Sequence, residues 1–421
     1  MRRMAERDID VVVFGATSVT GRRVSAYLAK RAPALGLSWA AGARDLAKLD
    51  TILAEDGVAG ATTIAADVTD PGALAAMASR SRVVLNLVGP YTSYGRPVID
   101  ACVAGGASYV DLSGEMPFVS RTTREVHGAA TAAGVKVVQV CGFEALPPDL
   151  AVALAAETAL ERWQEDLAEV ELAVRTLELP PGLPRPSDVL SGGTMQSLAQ
   201  AVGDEDAADL LDPACLVPDA ARAAEVRTTS PISVRPRRAH DGATIAPMAP
   251  AAFINPAVIQ RTAALCRPAR PVFRYREGFA FDGGAASLPA RYAVAGVLAG
   301  LQVGAGRVAS ASPSVRGRAS NALSRVLPSS GFGPRADRLE AWRWSMDVSA
   351  QTTGGHEVVV EIEGSGHPGY LATARMLGEA GLLLAEPGAT PDGSGCLTPA
   401  LALGTAEVQR FDAAGVTFRV V

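Results

Sequence analysis

The chain has 421 residues, too many for one ordinary domain, and a 48% hydrophobic fraction that excludes wholesale disorder. Its 39 basic residues against 44 acidic ones leave a net charge of −5, which gives no general electrostatic reason to bind nucleic acid. Only Lys30, Lys48 and Lys136 are lysines, and alanine is abundant, so the arginines reflect a GC-rich codon bias and their number says little about function. Residues 9–14 form an apolar, β-branched run, as a strand buried on both faces requires. A turn over 15–21 follows, then an amphipathic helix over 22–31 that Pro33 stops. The spacing next predicts a strand over 37–41, a helix over 46–55, a strand over 62–66 and a helix starting at Pro71. Strands over 83–88, 108–112 and 135–140 alternate with helices over 97–104 and 118–133, the last ended by Gly134. Six strands separated by helices describe an α/β, Rossmann-type doubly wound parallel sheet over residues 1–147.

Beyond Pro147 the pattern changes to a mixed α+β second domain over 148–370, with a C-terminal segment over 371–421. A long helix is expected over 149–163, a strand over 170–178, a proline-rich turn over 179–186 and a helix over 191–202. Residues 213–270 read as irregular and proline-rich; 339–348 and 357–363 alternate as antiparallel strands do. A helix over 371–384 and a strand over 416–421 close the chain.

The turn Gly15-Ala16-Thr17-Ser18-Val19-Thr20-Gly21 follows a buried strand and opens a helix. Such a turn aims backbone N–H groups and the helix dipole at a pyrophosphate. Gly15 allows the tight turn and Gly21 the close packing of helix on sheet, while Ser18 stands where a middle glycine would let phosphate approach most closely. The end of the second strand carries Arg44 and no acid before Asp45, which selects the 2′-phosphate of NADP over the ribose hydroxyl of NAD. Asp45 is then free to cap the next helix. Asp67, after the third strand, is a candidate for the adenine edge, against the alternative of capping the helix that follows. After the fourth strand, Val88, Gly89 and Pro90 lie where the nicotinamide should sit, and Tyr91 and Tyr94 follow in the same loop.

Five cysteines, Cys102, Cys141, Cys215, Cys266 and Cys396, are scattered with no Cys-x-x-Cys pair, and the four histidines show no ligand spacing; neither a disulfide framework nor a metal site is expected. A charged start that runs directly into a strand gives no sign of a signal peptide, and the charge-free apolar run 292–306 falls short of the roughly 20 residues of a spanning helix. A cytoplasmic protein is expected, with peripheral membrane contact through 292–306 weighed against a buried core helix. The residues four after each of the seven tyrosines include no lysine, which excludes the tyrosine–lysine mechanism of short-chain dehydrogenases.

Longer segments carry a family resemblance. Phe14 through Gly21, Asn86 through Gly95, Tyr109-Val110-Asp111-Leu112-Ser113-Gly114-Glu115, Cys141 through Asp149, Ser191-Gly192-Gly193-Thr194 and Leu397-Thr398-Pro399-Ala400 resemble, in that order, the saccharopine-dehydrogenase-like NADP-binding proteins, specifically their trans-acting enoyl reductase branch. Two departures stand out: members typically have glycine at Ser18, and often aspartate and serine where this chain has Glu144 and Ala145. The resemblance implies NADPH as cofactor, a C-terminal segment folded back toward the first domain, and reduction of an α,β-unsaturated, carrier-borne acyl thioester in lipid or polyketide assembly. For that chemistry Tyr91, Tyr94 and the 191–194 turn are candidate donors to the thioester carbonyl. Glu115 and Asp149 are candidate acid–base groups, against the readings of a solvated loop charge and a first-turn helix carboxylate. Between Arg227 and Arg276 nine arginines accompany one acid, Asp241, a basic stretch suited to an acidic carrier protein or to internal pairing with the acids of 157–225. A C–N oxidoreductase of an amino-acid-derived imine, and a non-catalytic nucleotide-binding or lipid-associated partner protein, are the competing readings. Assembly as a homodimer is left open.

Overall fold

In the computed structural model, residues 7–58, 60–182, 192–239, 241–247, 251–326 and 336–421 are described. Ser191 and His240 therefore lie outside the described residues, as do residues 183–186 of the proline-rich turn.

The first sheet is built from β1 (Ile9–Phe14), β2 (Trp39–Ala43), β3 (Thr62–Ala65), β4 (Ser81–Asn86), β5 (Ser108–Asp111) and β6 (Lys136–Val138). Helices α1 (Val19–Ala34), α2 (Leu46–Glu55), α3 (Pro71–Arg80), α4 (Tyr91–Gly105) and α5 (Met116–Ala133) connect them, and α6 (Leu146–Trp163) leads out. All pairings are parallel, and the strand order reverses beside β1, which lies between β4 and β2. That reversal opens a crevice at the carboxyl ends of β1 and β4. The period of two is visible in β1: Val11 and Val13 enter one apolar core, Val12 and Phe14 the other. The second of these cores is closed by α3, α4 and α5 through Leu74, Met77, Val98, Ile99 and Phe118.

The second sheet is mixed. It contains β7 (Leu167–Glu178), β8 (Arg237–Arg238), β9 (Thr244–Ala246), β10 (Arg274–Phe281), β11 (Arg343–Thr352) and β12 (Glu357–Ser365). Its β10 runs parallel to β7, while β11 pairs antiparallel with both β7 and β12. Around it lie α7 (Gly192–Gly203), α8 (Ala220–Thr229), α9 (Asn255–Cys266), α10 (Leu288–Ala309) and α11 (Pro313–Val326). Residues 213–270 are thus not irregular. Asp219 caps α8 by accepting from the Arg222 N–H, and Pro256 sits in the first turn of α9. The arginines of β10 belong to a strand, with Tyr275 buried and Arg276 paired to Glu169 on β7.

The last part of the chain serves both sheets. Helix α12 (Thr373–Ala385) packs on α1 and β4, β13 (Gly395–Leu397) adds a seventh parallel strand beside β6, and α13 (Pro399–Leu403) packs on α6. The closing strand β14 (Val416–Val420) joins the other sheet at β12, so only part of 371–421 returns to the first domain. One continuous apolar core runs from Val11 and Val13 through Leu150, Ala151 and Ala155 of α6 to Leu172, Trp344 and Val360 of the second sheet.

Candidate active site

The turn after β1 has the shape its sequence asks for. Gly15 has φ +88°, and a Cβ there would come within 2.9 Å of the Leu87 carbonyl carbon. A Cβ at Gly21 would stand 2.2 Å from the Gly15 carbonyl oxygen, so α1 can cross the strand this closely only with glycine. Ser18 adopts ordinary extended backbone, φ −74° and ψ 163°, and caps α1 by accepting from the Gly21 N–H at 3.0 Å. The serine causes no strain and occupies one first-turn donor, while Val19 and Thr20 present the N–H groups that an α-helix leaves without intrahelical partners. Thr17 to Thr20 are half-buried along the crevice. This cradle fits a dinucleotide pyrophosphate, and the donor set next to it fits the rest of NADP.

At the adenosine end, Arg44 is exposed just after β2 and forms no ion pair among the described residues. Asp45 caps α2 through the Lys48 N–H at 3.0 Å, as expected. Asp67 does not cap α3; Asp70 does. Asp67 instead accepts from the N–H and hydroxyl of Thr69 at 2.9 and 2.8 Å, bonds that hold its carboxyl below the usual range, with the nearby Arg44 cation adding to the effect.

On the other side of β1, Val88 packs against Gly15, and its N–H bonds to the Asn86 side chain at 3.0 Å; Gly89 and Pro90 follow, joined by a cis peptide bond. Helix α4 begins at Tyr91, six residues before the predicted start, so Tyr91 and Tyr94 sit in a first turn and not in a free loop. The reason is Glu115. It is buried at 1% exposure, and its carboxylate accepts from the N–H groups of Tyr91 and Thr92 at 3.1 and 2.7 Å and from the Thr92 hydroxyl. It also accepts from Ser197 on α7 at 2.8 Å, which brings onto this edge the helix whose first turn is 192–194, residues expected as a donor turn. Glu115 is thus no solvated loop charge but the anion at the positive end of α4. The Tyr91 phenol is buried and donates to the Asn86 carbonyl at 3.2 Å, and burial raises its pKa; Tyr94 is 41% exposed.

Behind these residues lies a buried network with no counterpart in the sequence reading. Asn86 donates to the Tyr109 hydroxyl at 3.0 Å, and Tyr109 donates to Asp111 at 2.8 Å. Asp111 also accepts from the N–H groups of Ser113 and Val140, and burial pushes its pKa up to about 7. Val140 is held at φ +61°, a strained conformation for a β-branched residue, at the carboxyl end of β6. The next loop carries Glu144, half-buried near Leu112, Gly142 and Thr373. Its carboxyl has no side-chain partner among the described residues, and burial raises its pKa. Cys141 is buried with its thiol pKa pushed up, the condition of an inert cysteine.

Asp149 is a structural tie. It is buried and accepts from Thr262 on α9 at 2.6 Å and from the N–H of Ala400 on α13 at 2.8 Å. The basic stretch is largely neutralised inside the molecule: Arg227 pairs with Asp212, Arg237 with Glu171, Arg270 with Asp166, and Arg276 with Glu169. No group of three metal-ligating side chains occurs among the described residues.

The comparisons with known proteins agree with this geometry. The family model "Saccharopine dehydrogenase NADP binding domain" matches residues 11–138, from within β1 to the end of β6. A protein of Mycobacterium ulcerans named trans-acting enoyl reductase is 32% identical over 98% of this chain and 97% of its own length. A Mycobacterium bovis protein of the same name is 29% identical over 98% of this chain and 97% of its own. Among solved structures, saccharopine dehydrogenase (L-Glu forming) of Saccharomyces cerevisiae superposes over 98% of this chain and 100% of its own, with a TM-score of 0.51 at 14% identity, a likeness of fold. With the dinucleotide cradle at β1, a free arginine after β2 and end-to-end likeness to these relatives, the chain is an NADP(H)-dependent oxidoreductase and belongs to the saccharopine-dehydrogenase-like family, in its trans-acting enoyl reductase branch.

Proposed function

We propose that the reaction is reduction of the carbon–carbon double bond of an α,β-unsaturated acyl thioester, carried on an acyl carrier, in lipid or polyketide assembly. The observation that carries this reading is the end-to-end likeness to relatives named trans-acting enoyl reductases. The charges around the strand edge agree with it. A saccharopine-type substrate with several carboxylates would need fixed guanidinium groups. Yet Arg96 is held by Asp100 and Glu125, Arg121 by Asp204 and Asp206, and Arg261 by the carbonyls of Leu216 and Cys396. A neutral thioester asks for no such group.

When bound, NADPH supplies a hydride for the β-carbon of the double bond. The chain's own residues do the rest. Thr17, Val19 and Thr20 would hold the pyrophosphate in the cradle that Gly15, Gly21 and the capping Ser18 shape, with Arg44 at the 2′-phosphate, Asp67 on the adenine side, and Val88, Gly89 and Pro90 at the nicotinamide face. Of the three predicted catalytic residues, Tyr94 offers the accessible phenol for the thioester carbonyl, while Tyr91 and Glu115 act as positioning residues for α4. Glu144, whose carboxyl burial shifts toward the protonated form, is the candidate to deliver the proton to the α-carbon; the products are the saturated thioester and NADP⁺. The purified chain should oxidise NADPH with an enoyl thioester and not with an imine of a dicarboxylic amino acid. Glu144→Gln should retain NADPH affinity and lose about tenfold or more in turnover. Oxidation with the imine alone would favour the C–N reading, and unchanged turnover in Glu144→Gln would move the proton elsewhere.

A further inference from the structure

Helix α10 is built inside out. Its buried positions are Arg291, Ala295, Ala299, Gln302 and Ala309, one stripe at helical spacing that contains its amide and one of its two charges. Arg291 spends its guanidinium on the carbonyls of Phe281 and Gly284, at 2.8 and 3.3 Å. The outward face is apolar: Val294, Val297 and Leu301 are 50%, 65% and 67% exposed, with Tyr292 at the N-terminal end. A Cβ added at Gly296, Gly300 or Gly304 would meet nothing within 4 Å. An ordinary surface helix does the reverse, turning its apolar stripe to the core and its polar residues to water. Single exposed apolar side chains are common, but a continuous stripe of them marks a contact.

By length and hydropathy residues 285–309 could cross a membrane. The buried stripe argues against a span, because it packs on β9 and on the 3₁₀ turn Ala207–Leu211. A helix fixed to the protein along one side can only lie in the plane of an interface. The charges around it say which interface. From residue 283 to 336 the sequence has no Asp or Glu and six arginines, Arg291, Arg307, Arg316, Arg318, Arg325 and Arg335, within a chain of net charge −5. Arg307, Arg318 and Arg325 are exposed, and none makes an ion pair among the described residues. Two exposed acids stand only at the rims, Asp282 4.0 Å from Arg175 and Glu205 3.7 Å from Arg121.

We propose that the face formed by α10 and α11 lies on an anionic lipid surface, with Val294, Val297 and Leu301 entering the acyl boundary and the three exposed arginines meeting lipid phosphates. A second copy of the chain would also cover the apolar stripe. A two-fold contact, however, sets this acid-free patch against itself, so every cation would face a surface without a counter-charge. Lipid phosphates supply that charge.

The test is sedimentation of the full chain with vesicles of phosphatidylcholine alone and of equal parts phosphatidylcholine and phosphatidylglycerol. The chain should pellet with the mixed vesicles only and be released as salt rises. Val297→Asp/Leu301→Asp should weaken binding about tenfold or more, and Arg318→Ala/Arg325→Ala several-fold, with NADPH affinity unchanged in both. Should the aspartates unfold the chain, Val294→Ser/Leu301→Ser gives the same reading without an added charge. The proposal is overturned if the chain stays in the supernatant with both vesicles or binds them equally. It is also overturned if gel filtration finds a dimer that Val297→Asp/Leu301→Asp converts to monomer without any vesicle binding. None of these outcomes depends on the reaction proposed above.

Discussion

At position 21 the main chain leaves no room for a methyl group, since the obstructing Gly15 oxygen belongs to backbone already fixed by the bonds of Gly15 and Ala16 N–H to the Gly42 carbonyl. Gly21→Ala must therefore push α1 away from β1, and NADPH titration should show affinity reduced by about tenfold or more. Ser18 behaves differently. Ser18→Gly should cost only a few tenths of a kcal/mol and Ser18→Ala about 1 kcal/mol, because the capping oxygen is lost in both but glycine suits the cap position. NADPH affinity should survive both changes; its loss in Ser18→Gly would mean that the serine itself holds phosphate. Both glycines and the capping serine were legible from the sequence, since a strand–turn–helix with fixed glycine spacing is a local signal. Asp111 was not, because its network reaches Val140 after β6 and, through Tyr109, Asn86 of β4, and only folding unites them. Its raised pKa has a sign that can be tested. A carboxyl that holds its proton more tightly when folded contributes stability in acid, and loses it as pH rises from the ordinary value of about 4 through the folded value, about 7. In Asp111→Asn, unfolding free energy measured in urea at about pH 5 and about pH 8 should show less of this decline than the parent.

The start of α4 shows how one distant side chain sets an element's length. Pro97 looks like a first-turn proline, so the sequence predicts a helix from 97. The true first turn is capped by Glu115, 24 residues away. Glu115→Ala should leave the buried Tyr91 and Thr92 N–H groups without an acceptor and cost about 1–3 kcal/mol. Glu115→Gln should cost less, because one amide oxygen can still accept. If thermal unfolding does not separate the two variants, the carboxylate does not anchor this helix. Local signals served well where the cap is local: α2 runs over the predicted 46–55, with Asp45 at its head. They failed for α9, which is buried on nearly every side and so has no polar face to reveal a period of 3.6. In β10 the alternation was present, but the density of arginines drew the reading to their charge and not to a strand. The internal pairing weighed for that charge holds, with Arg274 and Arg276 on Glu169 and Glu171 of the neighbouring strand.

At the scale of the molecule, the sequence divides at residue 147 and the packing does not. Strand β13 is three residues long, too short for any pattern, and it exists because β6 offers it an edge. The buried Glu379 of α12 accepts from Tyr27 and Arg31 of α1 at 2.6 and 3.1 Å, and from Arg410 in the turn before β14 at 2.9 Å. One carboxylate thus ties the nucleotide half to the segment that completes the other sheet. With an apolar core continuous through α6, the two sheets should unfold together. Of the four tryptophans, Trp39 starts β2, Trp163 ends α6, and the buried Trp342 and Trp344 stand just before and within β11 of the second sheet. In a Trp39→Phe variant, tryptophan fluorescence therefore reports mainly on the half that does not hold the cofactor. Saturating NADPH, at about a hundred times its dissociation constant, should stabilise the folded chain by about 2.7 kcal/mol. If the core is shared, that gain appears in the tryptophan transition and in far-ultraviolet circular dichroism alike, as one sigmoid. Two transitions, with NADPH moving only the one that fluorescence does not see, would mean that α6 and the C-terminal segment join two domains that fold apart.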